Sequence, residues 1–432
     1  MRFLDPQLFM RPVHPDRSLR IVVTGLIAQH PSLGGVAWDY VQYPAALRRM
    51  GHDVYYIEDT GEWPYTLDGG ASGHDWIARD PAANVAHLAA VMERFGLGDR
   101  WAYRFPIEPR WYGMSDERRN EILRSADLLV NVSGTLERPS EYRQGPTLVY
   151  IDSDPVFTQV KLALPDQFAE FRDRVHAHDV HFSFGECLHD AAPSTDLRWL
   201  PTRQPMLLDE WRPETPRGNR YTTVMSWTSY KPLRYGSETY GQKDVEFERF
   251  FGLPALVAPV ELEVALGGLQ HSAWEAAPVP AGEIDDARLT APERLRRHGW
   301  SVTNSFRTCA DLDAYRQYVE SSRGEWSVAK NGYVKGQPGW FSCRSSCYLA
   351  AGRPVIVQDT GFTSAIPSGD GVIAFRTIEQ AADAIRDVEA RYAHHATAAR
   401  DIASTYFDAS TVLDRLLERA MNHRPVSVRR RE

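Results

Sequence analysis

The segment "WFSCRSSCYLAAGRPVIVQDTGF", Trp340 to Phe362, gathers the residues best suited to hold an anion. Arg344, Ser345 and Ser346 open a small-residue helix, whose first turn offers unpaired N–H groups and the positive end of the helix dipole. Two hydroxyls and a guanidinium beside that end suit a diphosphate. The plainer alternative is helix capping by Ser342 or Ser345 with no ligand. Trp340 either stacks on a base or plugs a gap between domains. A strand then delivers Asp359, Thr360 and Gly361 to a loop, and earlier loops of this half carry Ser226, Trp227, Lys231, Lys330 and Asn331.

The first half offers acid–base chemistry instead. His30 lies in the first strand-to-helix loop, where an imidazole facing a cleft can act as general base or stand as a plain surface histidine. Gly34 and Gly35 precede a helix, so a ligand could approach their backbone closely. Ser133-Gly134 and "YIDSDP", with Asp152 and Asp154, follow later strands. Pro155 behind the two aspartates favours a turn, or orientation of His30, over a metal site. His176, His178 and His181 in "HAHDVHF" lack accompanying carboxylates or thiolates, so a helix end entering a strand explains them better than a metal. No metal is expected.

These loops need a scaffold. "LRIVVTGL", a Gly-containing loop, the amphipathic "VAWDYVQYPAALRRMGH" and "DVYYIED" form a β-loop-α-β unit, the start of a doubly wound parallel sheet. Helices follow near Asp80–Arg94, Asp116–Ser125 and Pro165–Arg174, with strands at "DLLVNVSG", "TLVYIDSD" and "VHFSFGE". Pro201–Arg220, rich in Pro, Arg and Glu, reads as an interdomain linker. Alternation restarts at "YTTVMSW" and continues through "ELEVALGG", "ERLRRHGWSVTN", "CADLDAYRQYVESSRG", "EWSVAKNG" and "GVIAF". From Ile378 the chain is helical. In open parallel sheets ligands sit at the carboxyl ends of strands, which is where the candidate residues fall.

Composition removes several function classes. The 432 residues suffice for two or three domains, and the net charge of −8 argues against a general nucleic-acid or membrane binder. Four scattered cysteines make no disulfide framework. The gap from Gly25 to Gly34 is too long for a dinucleotide fingerprint, which disfavours a dehydrogenase. The N-terminus lacks the apolar core of a signal peptide and no apolar run reaches spanning length, so a cytoplasmic protein is expected.

"GRPVIVQDTGF" resembles the donor domain of GT-B glycosyltransferases, in which a small-residue helix ends in Gly-x-Pro and a strand delivers a loop to the sugar. "IVVTGL…HPSLGGVAWDYVQYPAALRRMGHDVYYIED" is similar to their acceptor-domain opening, and "VMSWTSYK" sits where their first donor strand ends in a Lys-bearing loop. The resemblance implies an α/β fold of two Rossmann-like domains facing a cleft. Residues 1–205 would bind acceptor, 206–218 would link, 219–398 would bind the nucleotide-sugar donor, and 399–432 would cross back as helices. It implies transfer of a hexosyl group from a UDP- or other NDP-sugar, as co-substrate and with no further cofactor. Acceptors would be a natural product, a cell-surface glycan or a modified nucleobase. The two Glu that retaining members carry eight residues apart fall near Gly339 and Cys347, so neither is present. The Arg that precedes the Lys231-like position is replaced around Ser226 and Trp227. By resemblance to inverting members, His30 would deprotonate the acceptor with Asp152 or Asp154 orienting it. Asp359, Thr360 and Gly361 would touch sugar hydroxyls. The alternatives are a nucleotide-sugar epimerase and a catalytically silent sugar- or nucleotide-binding protein.

Overall fold

Two runs of strands alternate with helices, and each run forms its own sheet. The structure is a computed structural model and describes residues 18–66, 76–188, 193–214, 216, 218–269 and 289–422. The first sheet contains β1 (Arg20–Thr24), β2 (Asp53–Glu58), β3 (Trp101–Phe105), β4 (Arg110–Gly113), β5 (Leu128–Val132), β6 (Thr147–Asp152), β7 (Val180–Ser183) and β8 (Trp199–Pro201). Their order is β4-β3-β2-β1-β5-β6-β7-β8, parallel except for the β3–β4 pair. Ile21, Val22 and Val23 are wholly buried, as expected when helices cover both faces of a parallel sheet.

The second sheet is built from β9 (Arg220–Ser226), β12 (Glu261–Gly267), β13 (Ser301–Asn304), β14 (Gly324–Ser327), β15 (Val355–Gln358) and β16 (Val372–Phe375). Its order is β13-β12-β9-β14-β15-β16, all parallel. A small hairpin, β10 (Leu233–Tyr235) and β11 (Glu238–Tyr240), intervenes after β9. Strand order reverses between β1 and β5 in one sheet and between β9 and β14 in the other, and the loops that leave these points form the site described below.

The halves are held by apolar packing. The Gly34–Arg49 helix lies against the Leu312–Ser321 helix, and Trp38 Nε1 donates to the Leu312 carbonyl at 2.8 Å. A Cβ on Gly34 would sit 1.9 Å from the Asp311 carbonyl oxygen, so only glycine permits this approach. One core cluster runs through the contact, joining Trp38 and Tyr43 to Tyr315, Tyr348 and Leu349. An interface this apolar resists wide rigid-body opening.

The chain ends in helices Ile378–Ala390, Tyr392–Tyr406 and Ala409–Met421, and the last packs on the Gly34–Arg49 helix of the first half. Between them Phe407 accepts from the Met206 amide at 2.8 Å, and the Ala409 amide donates to Met206 at 3.0 Å. The segment that reads as a linker is therefore pinned at its start, with Met206, Leu207 and Trp211 buried. Among the described residues no helix is long and apolar enough to cross a membrane.

Candidate functional site

The carboxyl ends of both sheets face one cleft of about 940 Å³. That is near the upper end of the ~300–1,000 Å³ typical of small-molecule sites. On the first-half side its wall starts with the β1 loop, which buried groups fix. Glu58, at the end of β2 and fully buried, accepts the Ala28 and Gln29 amides at 2.9 and 2.7 Å and the Tyr56 hydroxyl at 2.8 Å. Burial pushes its carboxyl up to about 7 against the pull of those bonds. Asn84 Nδ2 donates to the carbonyls of Ala28 and Tyr65, and the Tyr65 amide to Gln29. His30 is thereby presented to the cleft, its ring stacked on Tyr65 at 4.8 Å. Burial lowers its pKa to about 4, so it is neutral at pH 7.

The aspartates expected to orient His30 are engaged elsewhere. Asp152 is buried and accepts from Thr158 Oγ1 at 2.7 Å, Gln159 Nε2 at 3.1 Å, Ser183 Oγ at 2.9 Å and the Asp154 amide at 3.0 Å. It shapes the turn after β6. Asp154 reaches across the cleft to the second half, where Lys330 Nζ lies at 2.8 Å and the Tyr230 and Tyr333 hydroxyls also donate to it. Burial would raise its carboxyl, but Lys330 and the three hydrogen bonds hold it below the ordinary range. The sequence reading allowed a turn or a His30 partner, and the turn is what Asp152 forms.

Trp340 sits at the same junction. Its Nε1 donates to the Ser153 carbonyl at 3.2 Å and its ring stacks on Tyr333 at 4.3 Å, so it joins the halves while lining the cleft. Gly35 and Ser226 also line the cleft. Gly34 does not offer its amide, which donates to the Cys309 carbonyl at 2.8 Å.

On the second-half side, the Cys343–Ala350 helix points its first turn at the cleft through Ser342, Cys343 and Arg344. Ser342 makes no side-chain cap, so this end keeps unpaired amides. The flanking groups differ from expectation. Ser345 and Ser346 are buried behind the helix end. Arg344 turns inward, donating to Glu325 at 2.6 Å and to the Val224 carbonyl at 2.8 Å. Glu325 is fully buried, so this guanidinium is spent on a structural pair.

Lys231 is exposed on the way into the β10–β11 hairpin and Trp227 belongs to the second core cluster, so neither lines the cleft. Asn331 is buried, donating to Glu246 at 2.7 Å and accepting the Gly241 amide at 3.1 Å. Asp359 binds Arg376 at 2.7 Å and caps the Gly361 amide at 2.9 Å, while Thr360 Oγ1 donates to the Trp340 carbonyl. This loop braces the Trp340 segment and does not enter the cleft.

Two charged cleft residues escaped the sequence reading. Lys243, first residue of the Lys243–Phe247 helix, lines the cleft with no hydrogen bond or ion pair to any described residue. Burial, then Arg344 and Lys330, drive its pKa well down. Asp39 lies one turn beyond Gly35 on the Gly34–Arg49 helix, and burial pushes it up to about 7 despite Arg344 nearby. A lone acid in the apolar run "VAWDYVQY" and a lone Lys opening "KDVEFERFF" were the available signals.

His176, His178 and His181 bond to Asp196, to Asn131 and backbone carbonyls, and to the Val175 carbonyl respectively. Among the described residues no group of three or more His, Cys, Asp or Glu side chains converges as a metal site would.

Solved structures share this arrangement. An alpha-glucosyltransferase in complex with UDP-glucose and DNA containing an abasic site is similar over 94% of this chain and 100% of its own, at TM-score 0.57 and 13% identity. Anabaena HepE in complex with UDP-glucose is similar over 93% of this chain and 99% of its own, at TM-score 0.54 and 12% identity. The protein has the GT-B fold of these glycosyltransferases. No family model matches the sequence, and none of the curated proteins compared does.

Proposed function

We propose that this protein moves a hexosyl group from a nucleoside-diphosphate sugar, UDP-linked first of all, to an acceptor hydroxyl held by the first half. One observation carries this: Lys243 has no partner among the described residues in the cleft that also receives the uncapped end of the Cys343–Ala350 helix. A half-buried ammonium with no partner among the described residues is costly until an anion arrives, and a diphosphate is the anion that suits both groups. The fold, and the UDP or UDP-glucose bound by its structural neighbours, support the same reading.

As the sugar leaves, negative charge grows on the diphosphate. Lys243 and the Cys343 and Arg344 amides are placed to stabilise it without reorganising. With these donors the reaction runs without a metal, and the nucleotide sugar is the only co-substrate. His30 is the base of an inverting transfer. Its lowered pKa keeps the imidazole neutral and able to accept a proton, and the incoming diphosphate raises its basicity.

The test is turnover of UDP-glucose with an acceptor panel. Expected is an inverted anomer by proton NMR, and a His30→Ala variant that binds UDP normally but has lost transfer. A retained anomer sinks the inverting mechanism, and an unchanged rate in His30→Ala sinks the base. The engagement of both Asp152 and Asp154 away from His30 favours one second reading, a nucleotide-sugar-binding protein without turnover. UDP-glucose bound tightly and never consumed would select it.

A further inference from the structure

The two walls of the cleft differ in charge. Its three described cationic side chains, Lys243, Lys330 and Arg344, all come from the second half. Lys330 is held by Asp154 and Arg344 by Glu325. Once a diphosphate takes Lys243, no unpaired cation remains among the described lining residues. The first half contributes Asp39 and Asp154 but no Lys or Arg. An anionic acceptor would find no Lys or Arg on this wall and would face Asp39, and nucleic acid, which depends on cations along its phosphates, would be the worst case.

What the first half offers instead is ring surface. Half-buried Tyr65 and Trp76 line the cleft on two short segments that bond to each other. The Thr66 amide donates to the Trp76 carbonyl at 3.0 Å and the Ala78 amide to Pro64 at 2.8 Å. Tyr65 carries the His30 ring on one side, and Trp76 meets Phe306 of the second half edge-on at 5.7 Å. This places a preorganised aromatic shelf beside the candidate base.

We propose that the acceptor is an uncharged, ring-bearing alcohol or phenol that stacks on the Tyr65–Trp76 shelf, with its hydroxyl directed to His30. The proposal rests on the transferase reading above, and its source is either an aryl compound or the flat face of a neutral sugar. Both present an apolar ring face to aromatic side chains, and neither asks for a cation.

Titration calorimetry on the full chain, with and without saturating UDP, tests it. The probes are 4-nitrophenyl β-glucoside, methyl β-glucoside, glucose 6-phosphate and a short DNA duplex. Expected is binding of at least one neutral probe, at least tenfold tighter than either anionic one, and weakened about tenfold by Tyr65→Ala or Trp76→Ala while UDP affinity holds. The aryl and methyl glucosides separate the two sources. Saturation-transfer NMR on the unmodified protein, with ring protons of the probe receiving the strongest transfer, reads the same contact if a variant does not fold. No neutral binding, equal or tighter binding of an anionic probe, or neutral binding indifferent to both substitutions would overturn the proposal. Failure of UDP to bind overturns the transferase reading instead, and the UDP-free titrations still decide the acceptor class.

Discussion

Lys243→Met separates a ligand-binding role from a structural one, because the two roles predict opposite signs. In the folded protein Lys243 is half-buried in the cleft, has no partner among the described residues, and sits near Arg344 and Lys330. Its pKa is driven below the ordinary Lys value of 10.5. A depressed Lys destabilises the fold while the unfolded chain holds it charged, and this cost fades as pH rises towards that value. Replacing it with an apolar chain of similar length should leave the melting temperature at pH 7 unchanged or raised. Affinity for UDP should move the other way. Two unit charges about 4 Å apart attract by roughly 4 kcal/mol at an effective dielectric of 20, an upper bound. A hydrogen bond to a charged group contributes about 1.5–3 kcal/mol net. At about 1.4 kcal/mol per decade, UDP binding should weaken roughly ten- to 150-fold. Calorimetry and thermal unfolding on the same preparation read both signs. A variant that melts lower yet binds UDP within about twofold of wild type would refute a phosphate-binding Lys243.

Four further outcomes follow from the geometry. His30 titrates near 4 in the free protein, so kcat/KM should show no acid limb at the ordinary imidazole pKa and should fall only as pH drops towards about 4; a limb near 6.5 contradicts the burial of its ring. Asp39 is protonated below about 7 and ionised above, so UDP affinity in wild type should fall from pH 6 to pH 8 more steeply than in Asp39→Asn, and equal slopes would dismiss it. The same raised carboxyl makes the folded chain lose stability through this group as pH climbs from 3.8 to about 7. Gly34→Ala would force its methyl into the Asp311 carbonyl, so it should destabilise the protein by about 1–3 kcal/mol, and an unchanged denaturant midpoint would show that the two halves can shift apart at no cost.

The sheets were legible because parallel strands buried on both faces leave short apolar runs, and "LRIVVTGL" and "TLVYID" are such runs. The β3–β4 and β10–β11 hairpins were not, since their short strands mix aromatic and charged residues without an apolar period. Pro201–Arg220 read as a linker because Met206 takes its partners, Phe407 and Ala409, from the far end of the chain. At the site, proximity to a strand end located His30, Asp154, Ser226, Lys330 and the Ser342–Arg344 helix end. Sequence cannot show which polar groups neutralise one another, so Arg344, Asp152 and Asp359 looked available when each is held by a buried or local partner. Lys243 was hidden because the hairpin after β9 carries the chain out to solvent at Lys231 before returning it to the cleft.

The most direct measurement is a crystal structure of the protein soaked with UDP. Expected is the diphosphate between the two sheets, one oxygen within hydrogen-bonding reach of Lys243 Nζ and another facing the Cys343 and Arg344 amides. Phosphates found on any other surface, with Lys243 still alone, would contradict a donor site in this cleft.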